Sequence, residues 1–104
     1  MKRRPITRTE ARDLVAELKA MASLGPGPDP KHLARAREIR FQLQGQEWAS
    51  GYLTEKLDEI YRRFEVLLSA RRWRELLSVD GFRKEIKSAC ARVSTALGER
   101  ARAV

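Results

Sequence analysis

Leu53-Thr-Glu-Lys-Leu57-Asp-Glu-Ile60-Tyr61-Arg-Arg-Phe64-Glu-Val-Leu67-Leu68 carries its large apolar residues at 53, 57, 60, 64 and 67. Steps of four, three, four and three line one face of an α-helix and match no strand period. Tyr61 and Leu68 widen the stripe beyond a coiled-coil seam, which predicts neighbours on more than one side and hence a globular bundle. On the far face Asp58 precedes Arg62 and Glu59 precedes Arg63 by one turn, the acid-before-base order that supports a helix.

Downstream, the stripe changes phase. Trp73 falls on the face of Val66 and Ala70, not on that of Leu53 and Leu67, which predicts a kink near Ser69 or a separate short helix over 71–77. Ser78 or Asp80 then caps a last helix whose apolar face is Val79, Phe82, Ile86, Ala89, Cys90, Val93 and Leu97, with Gly98 expected to end it. Upstream, Thr7 and Glu10 have capping-box spacing. Ala11, Leu14, Val15, Leu18, Met21 and Ala22 share one face as far as Gly25. The run Gly25-Pro-Gly-Pro-Asp29-Pro30 is neither helix nor strand, and it hands over to a helix capped by Asp29 with Pro30 at its first position. That helix is less cleanly amphipathic, with Leu33 and Phe41 off to either side of Ala36, Ile39 and Leu43. Between Gln44 and Tyr52, two glycines break the pattern around Trp48, an aromatic that plugs a core end or stacks on a base. The plug is the commoner use.

The expected fold is all-α: a four-helix up-down bundle with helices at 7–24, 30–44, 53–69 and 79–97 and a short extra helix at 71–77. Residues 1–5 are expected to form a flexible basic arm, 6–98 a single helical domain and 99–104 a frayed tail. At 104 residues and 42% hydrophobic, the chain can bury one core without metals or cross-links. Its single cysteine allows no internal disulfide and points weakly to a cytoplasmic place. No apolar run approaches the ~20 residues of a membrane span, and no signal-peptide pattern follows the first basic residues.

No enzymatic activity, catalytic group, metal or cofactor is expected. His32 has no second ligand at metal spacing, Cys90 has no activating neighbour, and no Glu-x-x-His pairs appear. Nor is a small-molecule substrate. The informative property is charge: 22 basic residues against 14 acidic ones give +8. Sixteen of the 22 are arginine, whose planar fork suits phosphate, although a coding bias of the source would give the same ratio. Residues 1–25 hold six bases and three acids, and 71–104 nine and four, whereas 53–70 hold three and four.

Arg71, Arg72 and Arg74 surround Trp73, a pairing of cations with a stacking surface that suits nucleic acid; the alternative is an inward Trp under snorkelling arginines. Arg83, Lys84 and Lys87 on the last helix and Lys2, Arg3 and Arg4 in the arm complete the expected nucleic-acid surface. Two readings follow. The first is a nucleic-acid-binding accessory or regulatory protein. The second is a protein-interaction module, an adaptor or inhibitor that docks or homodimerises through an amphipathic helix face.

Overall fold

In the computed structural model, residues 4–102 are described, with side chains as far as Gly98. Four α-helices account for the architecture: α1 (Arg8–Met21), α2 (Pro30–Gln44), α3 (Gly51–Leu67) and α4 (Val79–Arg102), with a 3₁₀ turn at Arg72–Glu75. Among the described residues there is no strand. The principal packing pairs are α1 with α4, α2 with α3 and α3 with α4, while α1 and α2 touch less.

The direction of each helix follows from its ties. The backbone N–H groups of Gly27 and Asp29, just before α2, donate to the carbonyls of Leu67 and Leu68 at the end of α3, at 3.0 and 3.1 Å. At the opposite end Gln44 of α2 donates to the Thr54 carbonyl and to Asp58 of α3, at 3.0 and 2.8 Å. α2 and α3 are therefore antiparallel. Arg83, one turn into α4, reaches the Leu24 and Gly25 carbonyls beyond the end of α1, while Gly98 lies beside Arg12 near the α1 start. Those two are antiparallel as well, and the result is an up-down four-helix bundle.

Its core is the predicted set of stripes. Leu53, Leu57, Ile60, Phe64 and Leu67 of α3 meet Ala11, Val15 and Leu18 of α1, Ala36, Ile39 and Leu43 of α2, and Ile86, Cys90, Val93 and Leu97 of α4, all at most 2% exposed. No polar or charged side chain is buried among them. The caps are where residue chemistry puts them. Thr7 and Glu10 complete a capping box on α1, Asp29 accepts from the His32 N–H on α2, and Ser78, not Asp80, accepts from the Gly81 N–H on α4.

Several boundaries differ from expectation: α1 ends at Met21, short of residue 24, and the short helix spans only Arg72–Glu75 of 71–77. α3 starts at Gly51 because the Ser50 hydroxyl accepts from the Leu53 N–H at 3.2 Å, capping it two residues early. It stops at Leu67, and the chain breaks into the 3₁₀ turn where the stripe changes phase. Gly98 does not end α4, which continues to Arg102. Glycine stops a helix by entering the left-handed region, and among the described glycines only Gly25 and Gly27 have positive φ, +71° and +129°. Gly25 does so four residues beyond the end of α1, after 3₁₀ bonds from Ser23 to Ala20 and from Leu24 to Met21.

Candidate nucleic-acid interface

Packing α4 against α1 unites the two basic ends of the chain. On α1, Arg8, Arg12 and Lys19 recur at whole turns beside the buried residues Ala11, Val15 and Leu18, on the side that meets α4. Arg12 lies 3.8 Å from where a Cβ on Gly98 would be, and the charge of Lys19 reaches Cys90 of α4. On α4, Lys87 is one turn from Arg83 on the α1 side, half-buried, and Lys84 is exposed one turn before it. No ion pair to a described carboxylate occupies Arg8, Arg12, Lys19, Lys84 or Lys87.

Four described acids of these helices are paired with arginines. Glu10 binds Arg4 at 3.2 Å, and Glu17 grips Arg35 of α2 at 2.5 Å. Asp80 pairs with Arg83 at 3.5 Å, and Glu85 turns to Arg63 of α3 at 3.3 Å. The guanidinium of Arg35 holds the Glu17 carboxyl below its ordinary value, and Glu17 in turn raises Arg35. The pairs of Glu17 and Glu85 draw on arginines of α2 and α3 and leave Arg8, Arg12, Lys19, Lys84 and Lys87 without a described acidic partner.

The predicted site residues divide. Arg71, Arg72 and Arg74 are exposed around the 3₁₀ turn that precedes α4. Trp73 between them is half-buried. Its backbone N–H donates to the Ser69 hydroxyl at 3.2 Å, that hydroxyl donates to the Val66 carbonyl at 2.7 Å, and the Arg74 guanidinium lies 5.6 Å from the ring centroid. Arg72 faces a hollow between α3 and α4 with Arg62, Arg63 and Phe82. Arg83 belongs to the fold more than to the surface, since its fork is engaged by Asp80 and by the Leu24 and Gly25 carbonyls.

Arg4 is at the other end of the bundle, beside Glu10, with its backbone N–H donating to Gln42. Lys2 and Arg3 lie outside the described residues. Trp48 adopts the plug arrangement, half-buried against the core, with its indole N–H donating to the Ile6 carbonyl at 2.8 Å. His32 is a boundary imidazole, Nδ1 2.8 Å from the Asp29 carboxylate it helps to cap. Burial pushes the Cys90 thiol up to about 12, so it is an inert core residue. No metal-binding group of His, Cys, Asp and Glu occurs among the described residues, and no helix there is long and apolar enough to cross a membrane.

Arg8, Arg12 and Lys19 are absent from the expected site. Their signal, one cation per whole turn along the edge of an apolar stripe, was visible, but the neighbour that makes it a surface was not. No known protein family, no curated protein and no solved structure significantly matches the chain.

Proposed function

We propose that this protein binds nucleic acid, as an accessory or regulatory factor without turnover in the cytoplasm, through the α1–α4 seam and the arginines of the 3₁₀ turn. The observation that supports this most is the antiparallel contact of α1 and α4. It puts Arg8, Arg12 and Lys19 on the same helix pair as Lys84 and Lys87, with Arg12 opposite Gly98 and Lys19 opposite Cys90, while Glu10, Glu17, Asp80 and Glu85 are paired with arginines. A row of unpaired cations raises the local concentration of a polyanion and binds it by releasing condensed counterions. Fluorescence anisotropy with a labelled 20-mer tests the reading. Affinity is expected to fall steeply between 50 and 200 mM salt. The triple substitution Arg12→Ala, Lys19→Ala, Lys87→Ala is expected to flatten the log–log salt slope by about 0.9 for each lost duplex phosphate contact. Salt-independent binding, or none, sinks the reading.

One observation favours the second reading, a protein-interaction module. Pro30, Leu33, Ala34 and Phe41 of α2 and Tyr61 of α3 line an open hollow edged by Arg37, Glu38, Arg40 and Gln44. Sedimentation that shows a discrete dimer persisting at high salt, and lost on Phe41→Ser, would support it. A monomer at all concentrations counts against the homodimer.

A further inference from the structure

The segment between the 3₁₀ turn and α4 places one large apolar side chain entirely in solvent. Leu77 is 106% exposed, while its neighbours Leu76 and Val79 are partly buried. The segment is framed by hydrogen bonds: the Leu76 N–H donates to the Trp73 carbonyl at 3.2 Å, and Ser78 receives the N–H groups of Gly81 and Phe82, each at 3.0 Å. Arg71, Arg72 and Arg74 precede Leu77, and Lys84 follows it by two turns of chain. All four are exposed. An apolar tip between cations has the chemistry of side chains that enter a base step while the flanking charges hold phosphates.

The rest of the surface bears on which nucleic acid. Sequence-tolerant binding of single strands relies on aromatic platforms beside the backbone track. The seam from Arg8 to Lys19 carries none: it is a straight row of cations about 16 Å long at 1.5 Å per residue. Trp73 is half-buried and has Arg74 across its ring. Tyr52, 47% exposed, lies on the α3–α4 side with Arg92 and Thr95, away from the seam. A rigid row of cations without stacking surfaces suits the regular backbone of a duplex, and an apolar wedge suits a groove from which base steps can be opened.

Resting on the nucleic-acid reading above, we infer that the ligand is duplex DNA, contacted along its backbone by the seam and bent where Leu77 enters a base step. The full-length protein is titrated into a 20-bp DNA duplex carrying donor and acceptor dyes at its two ends, and by anisotropy into one strand of it, the RNA duplex of the same sequence, and phosphatidylserine-containing vesicles. Duplex DNA is expected to bind roughly tenfold tighter than the single strand or the RNA duplex, and energy transfer is expected to rise on binding. Leu77→Ala is expected to abolish most of that rise while keeping the salt slope, and Leu77→Phe to retain the rise. Neither substitution touches the core. Binding of duplex DNA without a rise, an equal rise with Leu77→Ala, a preference for RNA or single strands, or vesicle binding that depends on Leu77 would each overturn the inference and leave salt-dependent binding standing. Salt-dependent binding to no nucleic acid would overturn both.

Discussion

Gly25 is the residue on which the turn between α1 and α2 depends. Its φ of +71° is one that only glycine adopts freely, and an added Cβ would lie 3.1 Å from Leu68 Cδ2 and 3.3 Å from the Leu67 carbonyl. Gly25→Ala is expected to cost about 1–2 kcal/mol, read as a lower urea midpoint at unchanged m-value. An unshifted midpoint would mean that the turn relaxes. Gly27→Ala meets no atoms within 4 Å, so its cost comes from φ alone.

Cys90 gives a second test at the same scale. Desolvation raises its thiol from 9.0 to about 12, so the folded state favours the neutral form. Between those values the unfolded chain loses this proton first, and the contribution of Cys90 to stability falls as pH rises above 9.0. At pH 8 a disulfide reagent is expected to react with Cys90 only as fast as the protein opens, and at once in denaturant. Rapid labelling of the native protein would show that the site is not closed.

At the scale of elements, the ends of the helices explain where the secondary structure stops and how neighbouring helices are joined. Residues 53 to 67 predict α3 by periodicity alone, because every fourth or third residue is apolar and the stripe survives any arrangement of neighbours. The caps Thr7 and Asp29 were equally legible, since a cap is a local hydrogen bond, whereas Ser78 and Asp80 both offered themselves for α4 and the structure uses Ser78. Ser50 was less so because Gly51 follows it, and glycine is a poor helix former. Arg83 was read as a surface cation. It turned out to be a tie between α1 and α4, because the carbonyls left open after α1 have no intrahelical partner and lie within its reach.

Removing that tie has a predictable outcome. Arg83→Ala leaves the Leu24 and Gly25 carbonyls without their guanidinium donor and is expected to destabilise by about 1–3 kcal/mol, partly offset by water where the loop is exposed. Arg83→Lys should recover only part of this, since an ammonium cannot reproduce the fork. The measurement is a urea melt of the three proteins. Equal midpoints would return Arg83 to the surface.

For the whole molecule, electrostatics and stability are linked through the carboxylates. Glu10, Glu17, Asp29 and Glu59 are all held below their ordinary values, by the Thr7 backbone N–H, by Arg35, by the His32 backbone N–H and by Arg63 respectively. A depressed folded value means that the stabilisation is complete above the ordinary carboxylate range and is lost as pH falls through the folded values. Melting midpoints are therefore expected to be level near neutrality and to drop below about pH 4.5. Glu17→Gln should lower the neutral midpoint slightly and make the acid limb shallower. An acid limb of unchanged depth in Glu17→Gln would show that the Arg35 pair adds nothing measurable, as exposed pairs often do.

By itself the sequence determined that this protein is a helical bundle, where α1 and α2 begin and which residues fill its core. Those properties follow from local hydrogen bonds and from spacing along one chain, and need no knowledge of neighbours. Only the tertiary structure decided which helices touch, and with that the shape of the charge. Arg12 and Lys87 stand 75 positions apart in the chain, so no periodicity joins them. Antiparallel packing of α1 on α4 puts them on one seam, while Glu17 and Glu85 are drawn off to arginines of α2 and α3. The physical reason is range: a stripe is set by residues within two turns, whereas a surface potential sums over every charge within a Debye length, wherever in the chain it began.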